Sequence, residues 1–217
     1  AAEEGDDGGI IEGEELPSVA AEVVDRVCRA SQKVESPRAL GALQPMIAML
    51  LQKPDWKSAV AGLVLLRQVV EYIEDESTIE QMLHVVKERL SAEVPQVRNA
   101  AWGCIMQLAT DHGEFVSGDE RPMLLLPEFL KGMDDPCSRN VLICMEAFHF
   151  YGEHVEREDL EKFIAPLMEK LGRKLQDKPS IQREAVTSIA VIIGQLQDGF
   201  APYRAALMPV LKNVIAG

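Results

Sequence analysis

The chain has 217 residues, 47% of them apolar and only 5% aromatic, so it can bury a sizeable core, and that core must be built mainly from aliphatic side chains and alanine. A formal charge of −13 argues against nucleic acid, whose phosphates such a surface repels, and favours basic partners. No run of about 18 uncharged apolar residues is present and nothing resembles a signal peptide, so neither membrane insertion nor secretion is expected.

Residues 1–16, AAEEGDDGGIIEGEEL, hold seven carboxylates, four glycines and no base. That composition predicts a flexible acidic segment, and Glu12, Glu14 and Glu15 are its candidate contacts for basic ligands. From Val19 to about Val34 an apolar stripe of Val23, Val24, Val27 and Ala30 predicts a first helix, A. Ser36-Pro37 breaks it. Ala39 to about Gln52 then predicts a partner helix, B, with Leu40, Leu43, Met46, Ile47 and Leu50 inward.

The same A–B order returns four more times. Pro54-Asp55-Trp56 opens an A helix running to about Ile73, with Asp55 as its cap and Trp56 packing back on the first repeat; Ser77 caps the B helix containing Ile79, Met82, Leu83, Val86 and Leu90. Pro95 to Asp111, PQVRNAAWGCIMQLATD, opens the third repeat, whose B helix spans Arg121 to about Met133 after a loop from Gly113 to Glu120. The fourth runs from Pro136 to Gly152 and from Arg157 to about Gln176. The fifth runs from Ser180 to Leu196 and from Ala201 to Ala216.

The repeat-opening prolines Pro54, Pro95, Pro136 and Pro179 are 41, 41 and 43 residues apart. A second series lies inside the B helices, at Pro45, Pro127, Pro166 and Pro209, and Arg98, Arg139 and Arg183 keep the same beat, which the second repeat breaks with Lys57 and Ala59. A period of about 40 to 47 residues built from two helices is the signature of HEAT and armadillo arrays. The expected fold is therefore all-α, an α-α superhelix of about five two-helix repeats over 17–217, at roughly 17–52, 53–92, 93–133, 134–176 and 177–217. Apolar Val210, Leu211, Val214 and Ile215 run to the last residue, as expected of a piece of a longer array.

No catalytic motif is present. The four histidines His84, His112, His149 and His154 form no H-E-x-x-H, there is no G-x-S-x-G and no phosphate-cradling glycine loop, so neither enzyme activity nor a cofactor or metal is expected. Cys28, Cys104, Cys137 and Cys144 show no C-x-x-C pairing and read as reduced thiols. Stacked helical hairpins instead offer long surfaces for distributed contacts. On the B helices the candidate carboxylates for basic cargo are Glu80, Glu88, Glu128 and Glu161, and between A helices Trp102 and Phe148 are candidates for a slot receiving an aromatic peptide.

KPDWKSAVAGL (Lys53 to Leu63) and VPQVRNAAWGCIMQLATD (Val94 to Asp111), preceded by DRVCRASQK and LQPMIAMLLQ behind a carboxylate-rich stretch, resemble the middle repeats of the importin-β (karyopherin-β) family, most closely the importin-five type. The resemblance implies a receptor that shuttles between cytoplasm and nucleus. It would bind basic protein cargo and Phe-Gly nucleoporins, and meet Ran-GTP through the full-length receptor. Ala59 in place of a basic residue and Trp102-Gly103 in place of a smaller pair depart from that pattern. The alternative is a HEAT scaffold of the phosphatase-regulatory or condensin kind, holding subunits of a stable complex.

Overall fold

A computed structural model describes residues 15–33 and 38–216; the acidic candidates Glu12 and Glu14 lie outside them. Among the described residues ten α-helices follow one another: α1 (Glu15–Lys33), α2 (Arg38–Gln52), α3 (Trp56–Val69), α4 (Glu76–Arg89), α5 (Pro95–Val116), α6 (Arg121–Gly132), α7 (Ser138–Gly152), α8 (Arg157–Lys174), α9 (Pro179–Leu196) and α10 (Ala201–Ala216). Short 3₁₀ turns at Val70–Tyr72 and Gln197–Phe200 close α3 and α9. There is no strand among the described residues, and no described helix is long and apolar enough to cross a membrane.

The odd-numbered helices stack one on the next, α1 on α3, α3 on α5, α5 on α7 and α7 on α9. Even-numbered helices make the second layer, with α6 on α8 and α8 on α10, and α2, α4, α6 and α8 each pack against the odd-numbered helix that follows. α1 and α2 have no extensive packing with α9 or α10. This is the HEAT solenoid that the repeat length predicts.

Small residues let the odd helices approach closely. Ala101, Cys104 and Ala109 on α5, Ala147 on α7 and Ala185 and Ser188 on α9 are all buried at these seams. Between the layers, Phe129 of α6 meets Trp102 of α5 and Tyr151 of α7 at ring-centroid distances of 5.0 Å, and stands edge-on to Phe148 at 5.4 Å. A Cβ at Gly132 would come within 2.4 Å of Trp102 and 2.7 Å of Cys144 Sγ, so only glycine lets α6 settle onto this cluster.

Polar links cross the seams at about one repeat's separation. Arg98 donates to both carboxylate oxygens of Asp135 (2.6 and 2.9 Å) and to the Ala92 and Glu93 carbonyls, and Asn99 donates to Asn140, which in turn donates to the Pro95 carbonyl. On the even layer Arg121 pairs with Glu80 at 2.7 Å while its guanidinium lies 3.7 Å from the centre of the Phe115 ring.

Several expectations are corrected. Val23 and Val27 are about half exposed, because α1 turns Val24 and Cys28, not the whole valine stripe, towards α3. Met46 and Trp56 are also exposed, at 38% and 41%. Asp75, not Ser77, caps α4, its carboxylate accepting from the Thr78 amide at 2.8 Å. Helix α5 takes up half of the loop expected from Gly113 to Glu120, continuing to Val116 past a break at His112 (φ −132°, ψ 35°).

Candidate functional site

α3 and α7 end, and α5 breaks, at positions that carry acidic residues. α3 passes into the 3₁₀ turn carrying exposed Glu71, and Ile73 (φ −106°, ψ 117°) leaves the helical region. α5 loses its regular dihedrals immediately after Asp111, at His112. α7 stops at Gly152, with exposed Glu153 as its C-cap. Each helix end adds the partial negative charge of its free carbonyls to that of the carboxylates.

The three ends are tied together. His112 Nε2 lies 3.0 Å from the Val70 carbonyl, which can only accept, so Nε2 carries the hydrogen. The Ser117 hydroxyl is 2.7 Å from the Gly113 carbonyl and 2.8 Å from that of His154, and the His154 ring lies so close over Gly113 that a Cβ there would meet it at 2.2 Å. Between these ends opens a cleft of about 570 Å³ whose walls include Glu76, Asp111, His112, Glu114, Phe115 and His154. No lysine or arginine lines it.

Burial raises the Asp111 carboxyl above the usual carboxylate range, the Gln107 amide at 2.9 Å offsets part of this, and the negative charge of Glu71 adds to the rise. That coupling places Glu71 and Asp111 in one electrostatic field. Glu71, Asp111 and Glu153 recur at intervals of 40 and 42 residues, close to the repeat length. An array of carboxylates with one member per layer can hold several cationic side chains of one extended segment, each through a charge-assisted hydrogen bond.

The carboxylates expected on the even helices behave differently. Glu80 is held by Arg121 and faces His84, Glu128 pairs with Lys131 at 2.8 Å, and Glu161 pairs with Arg157 at 2.7 Å; Glu88 is exposed on α4. Glu15 is the first residue of α1. Trp102 and Phe148 are 1% and 0% exposed, so they are core residues on either side of Phe129 and do not line a surface slot. Two large aromatics do reach the surface, Phe150 on α7 and Trp56, the latter at the rim of a cleft of about 450 Å³ with Pro54, Ala59 and Val94. That opening lies where Ala59 interrupts the arginine series.

One grouping has the outline of hydrolytic chemistry. His149 Nε2 is 3.1 Å from Ser188 Oγ, and Nδ1 is 3.7 Å from Glu184. Ser188 is wholly buried in the α7–α9 seam, so no substrate reaches its hydroxyl. Among the described residues no three His, Cys, Asp or Glu side chains are placed to hold a metal ion.

No known protein-family model matches the chain. It is 24% identical over 200 residues to importin subunit beta-3 of Saccharomyces cerevisiae, covering 90% of the chain and 18% of that protein. Among solved structures it resembles Kap121p bound to the extreme C-terminus of the protein phosphatase Cdc14p (TM-score 0.83, 24% identity, 94% of this chain and 20% of that one). It also resembles Kap121p bound to Nup53p (TM-score 0.79, 24% identity, 91% and 19%) and Kap121p bound to RanGTP (TM-score 0.77, 24% identity, 90% and 19%). The chain thus spans about a fifth of the length of the relatives it matches. The shared stacking shows the HEAT-repeat fold of these structures, and the sequence match agrees with the resemblance to the importin-β family carried by the P-D-W-K and P-x-V-R runs.

Proposed function

We propose that this chain is a segment of a nucleocytoplasmic transport receptor, and that it holds basic protein cargo on the edge formed by Glu71, Asp111 and Glu153. The observation that carries this reading is the edge itself: one carboxylate from each of three successive layers, beside a cleft without a lysine or arginine. Net acidity supports it, since a chain at −13 attracts basic segments from a distance. The partners named with Kap121p extend the reading to nucleoporins and to RanGTP, met by the whole receptor, which would shuttle between cytoplasm and nucleus. A nucleoporin aromatic side chain would enter beside Trp56 and not at the buried Trp102–Phe148 pair.

Fluorescence anisotropy of a labelled lysine-rich peptide tests the cargo reading. Saturable binding is expected at about 50 mM salt, weakening steeply towards about 300 mM as the charges are screened, with no binding of a glutamate-rich peptide of equal length. Failure to bind the lysine-rich peptide at low salt would overturn the reading.

A further inference from the structure

We propose that the cleft beside Trp56 binds an acidic–apolar peptide segment of a partner protein: a Glu or Asp carboxylate of the segment pairs with Arg89, while an apolar side chain next to it packs between Trp56, Ala59 and Val94. The acidic edge plays no part in this, so the proposal stands apart from the cargo reading.

Arg89 stands in the last turn of α4, is half-buried and lines the cleft. Its Nη2 donates to the Leu51 carbonyl at 3.0 Å, its one hydrogen bond among the described residues, and Nε is shielded from solvent without an acceptor. Nη1 has no hydrogen bond either and is not shielded, so an incoming carboxylate meets it first. Arg98 and Arg121 each hold a carboxylate, at 2.6 and 2.7 Å. Arg89 has none among the described residues. A guanidinium that has given up water without gaining an anion carries an uncompensated desolvation cost, and a carboxylate offered from outside offsets part of it through charge-assisted hydrogen bonds.

The repeat register explains why the seam is open here. Between α5 and α7 the Arg98–Asp135 pair closes the gap; the positions 41 residues before these two are Lys57 and Val94. Val94 offers no carboxylate, and Lys57 lies over the Trp56 ring at 5.7 Å. A cleft of about 450 Å³ stands in place of an ion pair. Its lining also carries Lys53, Asp55 and Glu93. Asp55 is committed to capping α3, accepting from the Ser58 amide at 2.8 Å, which leaves the exposed Glu93 as the one uncommitted carboxylate against the cations Lys53, Lys57 and Arg89. On a chain with a net charge of −13 this is a local excess of positive charge beside an apolar wall, and it is complementary to a segment that presents a carboxylate and an apolar side chain together.

The test titrates the whole chain with a fluorescein-labelled, C-terminally amidated peptide of alternating leucine and glutamate at about 150 mM salt, where long-range repulsion from the net charge is largely screened. Saturable binding is expected, at least about tenfold tighter than that of the same peptide with glutamine in place of glutamate. R89Q, which keeps a donor for the Leu51 carbonyl, should weaken binding of the glutamate peptide by about tenfold and leave that of the glutamine peptide unchanged. V94D places a carboxylate where Asp135 stands one repeat later and gives α5 a better N-cap, so it decides the matter if R89Q does not fold; it should weaken binding of the glutamate peptide by at least about fivefold. No binding of the glutamate peptide, equal binding of the two peptides, or undiminished affinity in the folded variants overturns the proposal and leaves the cargo reading standing. An uncharged Phe-Gly peptide that binds as tightly as the glutamate peptide overturns the pairing with Arg89 and leaves the nucleoporin reading of the same cleft standing.

Discussion

Arg98 shows how much one side chain contributes to a seam between repeats. Its guanidinium satisfies both oxygens of Asp135 and two loop carbonyls, while Asp135 also accepts from the Cys137 amide at 2.8 Å and from Asn140. Burial alone would push the Asp135 carboxyl up; the Arg98 bonds, the Cys137 amide and Asn140 outweigh it and hold the carboxyl below its usual range. A carboxyl depressed in the folded state contributes stability that is present above its unfolded value of about 3.9 and disappears as the pH falls through the lower folded value, so loss of this contribution is expected below about pH 4. R98A leaves a carboxylate that is only 5% exposed without its cation, and urea denaturation at pH 7 should show a loss of about 3 to 5 kcal/mol. G132A, by forcing a methyl against Trp102 and Cys144, should cost about 1 to 3 kcal/mol in the same assay. The thiols should separate equally clearly. Burial pushes Cys104 up to about 12 and Cys144 well above its usual value, whereas Cys137 is partly exposed at the start of α7, so a native-state thiol titration should find Cys137 reacting first and Cys104 and Cys144 protected until unfolding.

Among whole elements, what was legible in the sequence was what depends on local periodicity. α10 runs to Ala216 as its apolar spacing predicts, and α6 and α8 start at the expected Arg121 and Arg157. The helix ends were less legible, because a helix end is decided by partners from other repeats. The break in α5 forms where His112 reaches the Val70 carbonyl 42 residues away, and Glu71 and Asp111 come into one field only because the end of α3 lies against that break. Their near-regular spacing was the available signal, visible beside the proline and arginine series. Trp102 and Phe148 show the opposite failure: aromatic size suggested a slot, yet α6 brings Phe129 between them and covers both. The helix-interior prolines give a test at this scale. Pro166 is exposed on α8 and denies the Lys162 carbonyl its helical partner, so P166A should raise the midpoint of thermal unfolding by a few degrees, equivalent to about 1 kcal/mol.

Across the whole molecule, stability and binding follow from the same stacking. Every layer buries its apolar face against the next, so the chain has a continuous core from Cys28 to Leu207 and long exposed edges along which equivalent positions line up. One such edge carries Glu71 and Glu153 at the ends of α3 and α7 and Asp111 at the break in α5. On the even-layer face carboxylates such as Glu128 and Glu161 are answered by Lys131 and Arg157 within hydrogen-bonding distance. The most direct measurement compares charge reversal on the two faces with the same change in net charge: E71K/D111K/E153K against E88K/E161K/E169K, each titrated with the lysine-rich peptide at pH 7.8 and low salt. The first variant should lose binding by at least about a hundredfold and the second by less than about fivefold, as expected when local contacts dominate over net charge. Equal losses in the two variants, or a greater loss in the second, would contradict the assignment of the acidic edge as the site that holds a basic partner.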